Sequence, residues 1–206
     1  MHAQLALVAA IIFQVVVLLV NDRLALGPQY LIIATEIGMA VLLTTSIHAH
    51  SKHGREVQKI TAGALLAVIS FFNFSSLIIV LFSLIVGHAE VTGGELLASA
   101  VAIFLTNIIV YALWYWEIDS PGMTSHRWSK NDKDFQFTQQ DMQKEFPNWQ
   151  PEFADYMYLS LTNAINFAPA DTKPLTRIAK LLMGSQAVVS VFTLALVLAR
   201  SVSILG

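Results

Sequence analysis

Residues Asp155 to Lys180 read DYMYLSLTNAINFAPADTKPLTRIAK, and their reading decides the fold. A long polar stretch precedes them and a hydrophobic span follows. The apolar residues from Tyr156 to Ile165 give about 15 Å of helical rise against a bilayer core of about 30 Å, so a helix over Phe153 to Ile165 cannot cross and has to return. Phe167, Ala168, Pro169, Ala170 and Asp171 come next, with a second breaker at Pro174. That order predicts a re-entrant hairpin made of a short helix, a turn, an extended return and a full-length helix. Irregular backbone survives at membrane depth only when protein buries it or it lines a wet cavity, which makes the hairpin the candidate pore or binding site.

The composition fits a membrane setting. Of 206 residues, 55% are hydrophobic and 13% charged, and the mean hydropathy is +0.61; soluble domains carry about 25% charged residues. A net charge of −2 without a large basic patch argues against a nucleic-acid partner. The absence of Cys removes disulfides, thiolate metal sites and thiol catalysis.

An all-α integral membrane fold of five transmembrane helices plus the re-entrant hairpin is expected, in three regions: a four-helix transmembrane region over 1–117, a polar loop over 118–152, and the hairpin with its long helix over 153–206. The first span covers Leu5 to Val20. It lacks a basic leader and a small-residue cleavage site, so it reads as retained, with Gln14 bonded at a helix interface. Tyr30 to Ile47 is the second span. Its single acid, Glu36, is a functional candidate because an intramembrane charge is costly unless paired or wetted; reaching headgroup water is the plainer reading. His48, His50 and His53 lie close together without a fourth ligand at regular spacing, as in a solvated basic loop rather than a metal site. The third span runs from Ile60 to Val86, with Asn73 and Ser76 on one face for interhelical bonding. Leu96 to Trp116 is the fourth, with a helix cap at Thr92, and its closing Tyr111, Trp114, Tyr115 and Trp116 read as an interfacial aromatic belt.

In the polar loop, Trp128, Phe135, Phe137, Phe146 and Trp149 suggest a segment that folds back on the protein or lies on the bilayer surface. Enzyme chemistry there would use His126, Asp132 or Glu145 as acid or base, and their spacing forms no recognised constellation. No phosphate loop, nucleophile elbow or repeat is present, so no enzyme and no cofactor are expected. Ile178 to Val202 is the fifth span. Gln186, Ser190 and Thr193 form a polar stripe on it that lines the path if the hairpin is a pore, and otherwise glues helices together.

The hairpin resembles the pore module of the tetrameric potassium-channel superfamily over the last quarter to third of the chain. That family follows a Ser/Thr-rich pore helix with the filter TVGYGD, then a Pro, a Thr and a small-basic pair. Here Tyr158, Leu159, Ser160 and Leu161 stand for the end of the pore helix. Asn166, Phe167, Ala168, Pro169, Ala170 and Asp171 fall at the filter without a gap, and Pro174, Thr176, Ala179 and Lys180 keep the trailing pattern. The last hairpin is also similar to that of five-span bacterial membrane proteins. The departures lie in the filter itself, where Ala168 and Ala170 replace glycines and Pro169 replaces the Tyr. Filter glycines allow backbone with φ > 0, where Ala costs about 1–2 kcal/mol per residue. A ladder of carbonyl sites is therefore not expected, and side chains of Thr162, Asn163, Asn166 and Phe167 would form the constriction, with Asp171 as an acid ring or as a cap on local amides.

The resemblance implies a homotetramer in the lipid bilayer that passes monovalent ions with little selectivity. The alternative is a non-conducting structural or partner-binding protein with a pore-like fold. Ten basic residues (Lys52, Arg55, Lys59, Arg127, Lys130, Lys133, Lys144, Lys173, Arg177 and Lys180) fall on one side of the expected membrane, against Arg23 and Arg200 on the other. The positive-inside rule then puts the hairpin entrance in the cytoplasm of a multi-pass inner-membrane protein; the family resemblance implies the opposite face.

Overall fold

The computed structural model describes residues 8–15, 34, 37–38, 41, 52–86, 92–119, 133–166 and 171–205. The described chain is mostly helical. Its elements are α1 (Lys52–Val86), α2 (Gly93–Asp119), β1 (Phe135–Phe137), α3 (Thr138–Asp141), α4 (Phe153–Asn166), β2 (Thr172–Pro174) and α5 (Arg177–Leu205). A helical stretch over 8–15 precedes them.

Among the described residues, three helices are long and apolar enough to cross a membrane, through Ile60–Ser83 of α1, Gly93–Asp119 of α2 and Arg177–Ala199 of α5. They correspond to the third, fourth and fifth expected spans. Residues 8–15 lie within the first; the second, with Glu36, is almost entirely outside the described residues. The starts of α2 and α5 have a chemical reason. Thr92 and Glu95 form a reciprocal capping box at the start of α2, with the Glu95 amide donating to Thr92 Oγ1 at 3.3 Å and the Thr92 amide to Glu95 Oε2 at 2.8 Å. Pro174 cannot donate within a helix, and Thr176 caps the start of α5 by accepting the Ala179 amide at 3.2 Å.

Packing divides into three clusters. Residues 8–15 contribute Ala10 and Ile11 to a group with Leu65, Leu66, Ile69, Val110 and Leu113, and Gln14 Nε2 donates to the Ile69 carbonyl at 3.2 Å, the interface role expected for it. Far from the polar end, Leu77, Val80, Leu96, Ile103, Val189 and Leu196 join α1, α2 and α5. The third cluster sits at the polar end, where Tyr115, Phe135, Phe137, Tyr156, Leu159 and Met183 close together.

That third cluster corrects the belt reading. Tyr115 is fully buried, Trp114 Nε1 donates to Ser70 Oγ at 3.0 Å, and the Tyr111 hydroxyl bonds Ser185 Oγ at 2.8 Å. The aromatic run packs helices together, and α2 continues past it to Asp119. Part of the polar loop also folds back: Phe135 and Phe137 are buried, and the ring of Trp149 lies 5.5 Å from that of Phe137, whereas Phe146 is exposed. The antiparallel pairing of β1 with β2, in which Gln136 faces Lys173, is an element that the all-helical expectation lacks.

Candidate functional site

The hairpin begins where Pro151 ends extended chain and Asp155 caps α4 from within its first turn, its Oδ2 accepting the Glu152 amide at 2.7 Å. The helix has 14 residues, or about 21 Å, roughly two thirds of a bilayer core. Phe153, Tyr156, Leu159, Ser160, Asn163 and Ala164 form its buried face, at the three- and four-residue spacing of an amphipathic helix. Tyr158, Leu161 and Ile165 lie on the open one.

Two ties set the direction of α4. At the polar end the Tyr156 hydroxyl donates to Asp119 Oδ2 at 2.7 Å, and one turn further along α4 the Ser160 hydroxyl donates to the Ile108 carbonyl at 2.6 Å. Ile108 lies about 16 Å along α2 from Asp119, so α4 runs inward against α2. Its C-terminal end, the negative end of the helix dipole, points away from the polar face.

Gln186 of α5 is the centre of a buried polar network. Its Oε1 accepts from the Tyr115 hydroxyl at 2.5 Å and from Asn163 Nδ2 at 2.8 Å, while its Nε2 donates to the Ser160 carbonyl at 3.0 Å and to Ser160 Oγ at 2.6 Å. Asn163 Nδ2 also reaches the Met183 carbonyl at 3.0 Å. Deeper along α5, Ser190 Oγ accepts from Asn107 Nδ2 at 2.9 Å, and Thr193 donates to the Val189 carbonyl of its own helix at 2.8 Å. Gln186, Ser190 and Thr193 are each 0% exposed. The bonds of Gln186 and Ser190 join helices of one chain, whereas those of Thr193 stay within α5.

The return limb is fastened just as firmly. The Asp171 carbonyl accepts the Thr138 amide at 3.2 Å and the Thr138 hydroxyl at 2.6 Å, and the Leu175 amide donates to the Asp134 carbonyl at 2.8 Å. The Thr176 hydroxyl donates to the Asp134 carboxylate. Asp119 closes the arrangement, since its Oδ1 accepts the backbone amides of Asp134 at 2.5 Å and Phe135 at 3.0 Å. One buried carboxylate thus joins the end of α2, the start of β1 and, through Tyr156, α4.

Among the expected site residues, Asn163, Gln186 and Ser190 are drawn into one region. Thr162 is half-buried and bonds its own helix through the Tyr158 carbonyl at 2.9 Å. Asn166 is exposed at the end of α4, and Asp171 is exposed on the return limb. Phe167, Ala168, Pro169 and Ala170 lie outside the described residues, as do Glu36, His48, His50, His126 and Asp132. Glu145 is exposed. Tyr115, Asp119, Asp134 and Tyr156 carry the geometry without having been singled out as site residues. Asp119 had one legible signal, an acid two residues after Glu117 where the long apolar run of α2 gives way to polar chain.

Comparison with known protein families, with curated proteins and with solved structures finds no match.

Proposed function

We propose that this chain is a channel-like integral membrane protein that assembles as a homotetramer and passes monovalent cations with little selectivity. The observation that carries the reading is α4, a helix too short to cross, held between two spans and followed by a return limb that re-enters at the polar end. One such hairpin per chain supplies a quarter of a central path. The inward-pointing carbonyl end of α4 favours cations, and so does an acid ring at Asp171. Ala168, Pro169 and Ala170 disfavour a carbonyl ladder, which is why weak discrimination is proposed. The proposal places the protein in the inner membrane, assigns it no catalysis and requires no cofactor.

The second reading is a non-conducting scaffold with the same fold. It draws on the complete burial of Gln186, Ser190 and Thr193, because a residue lining a central path would be open in a single subunit. Recording from purified protein in bilayers with mixed potassium and sodium separates the two. The channel reading expects currents with a permeability ratio near one, reduced by Asp171→Asn and altered by Phe167→Ala. Strong potassium preference would overturn the backbone argument, and silence of all three proteins would establish the scaffold.

A further inference from the structure

A cavity of about 780 Å³ opens between α1, α2 and α5, walled by Phe71, Phe74, Trp114, Leu181 and Val188 with Lys180 at one end. Its volume is that of a small-molecule pocket. Phe71, Leu181 and Val188 are exposed, so the groove faces outward, toward lipid in a spanning chain. From Lys180 to Val189 it follows α5 for about 14 Å, close to half the thickness of a hydrocarbon core. This is the depth of one leaflet.

Several polar groups in the wall are already committed inside the protein. Ser70 accepts from Trp114 and donates to the Leu66 carbonyl at 2.7 Å, Tyr111 and Ser185 bond each other, and Asn107 Nδ2 is bonded to Ser190. An apolar occupant costs the bonded groups nothing, and Asn107 Oδ1, already buried without a hydrogen-bond partner, gains none from it. At the polar end the chemistry reverses, because Arg177 and Lys180 are both exposed and share a face at three-residue spacing. Gly184 lines the groove, and a Cβ added there meets nothing within 4 Å.

We infer that the groove is a site for an anionic phospholipid, with one acyl chain lying between α1 and α5 and the headgroup phosphate held by Lys180 and Arg177. A basic patch at the mouth of a leaflet-deep apolar groove recognises both ends of such a molecule, and each basic side chain near an anionic headgroup strengthens attachment about five-fold. The site is separate from the hairpin path and is occupied whether or not the protein conducts.

The test uses the full chain reconstituted with phosphatidylglycerol or phosphatidylcholine brominated on the acyl chain, because bromine quenches nearby indoles. The Trp114 component is the quenching lost in Trp114→Phe. Half-maximal quenching of that component is expected at about 25-fold less brominated phosphatidylglycerol than phosphatidylcholine. Lys180→Gln should reduce the preference about five-fold and leave chain contact intact. Gly184→Phe should fill the groove and abolish Trp114 quenching by both lipids while the emission itself persists. Equal quenching by the two lipids in the unsubstituted protein would overturn the headgroup assignment. A Trp114 component insensitive to both, as when a second copy of the chain sits there, would overturn the lipid site, and so would unchanged quenching in Gly184→Phe.

Discussion

Gln186 is bonded on both ends of its amide to residues from two other helices, and all of them are buried. Interhelical hydrogen bonds in membranes average only about 0.6 kcal/mol, but deleting a shared partner strands several groups at once, at about 1–3 kcal/mol per orphan. Gln186→Leu is therefore expected to cost about 2–4 kcal/mol, measured by denaturant titration in mixed micelles. Ser190→Ala, which strands only the Asn107 amide, should cost about 1 kcal/mol, the low end of that range. Equal effects would show that the network is not centred on Gln186. Asp119 offers a sharper contrast. Asparagine can still accept the two backbone amides through its oxygen, but its NH₂ cannot accept from Tyr156, so Asp119→Asn should cost about 1 kcal/mol and Asp119→Ala about 2–4 kcal/mol. Trypsin cleavage after exposed Lys133 should quicken in the same order.

At the scale of elements, the β1–β2 ladder and the Asp134 contacts hold the return limb against the polar loop. The apolar part of that hold is the burial of Phe135 and Phe137, worth about 1.5–3 kcal/mol each where they exclude water. Replacing both with Ala should speed amide exchange at Leu175, whose partner is the Asp134 carbonyl, without changing exchange in the middle of α2. Slow exchange at Leu175 in that variant would separate the ladder from the aromatic cluster. These elements also divide what could be read beforehand. The short helix was legible because its length follows from local facts, Pro151 on one side and Pro169 on the other, and observed α4 ends at Asn166 rather than Ile165. The ladder was not, because Phe135 to Phe137 and Thr172 to Pro174 are each too short to show a strand period and stabilise each other only across a large sequence separation. Tyr115 misled for a related reason: an aromatic run at the end of a span has one pattern whether it meets headgroups or a neighbouring helix, and only the partners on α5 distinguish them.

For the whole molecule, Lys133, Lys144 and Lys173 belong to the loop and return limb at the α2 C-terminal end, Arg177 and Lys180 to the first turn of α5, and Lys52, Arg55 and Lys59 to the first turns of α1. The positive-inside rule puts that end in the cytoplasm. A periplasm-active reporter fused at Gly206 should therefore be active, and activity only of a cytoplasmic reporter would restore the orientation implied by the channel resemblance. Mild-detergent native mass spectrometry should give a tetramer; a persistent monomer or dimer would remove the central path. The partners of Asn163 carry a further consequence, one of timing. α4 is too short to cross by itself, and when it leaves the ribosome Ile108, the partner of neighbouring Ser160, is already outside, whereas Met183 and Gln186, the partners of Asn163, are still inside the exit tunnel. On the channel reading the hairpin therefore completes its entry only after α5 has emerged, and a chain truncated before Gln186 and released from the ribosome should leave Asn163 open to water-soluble labels.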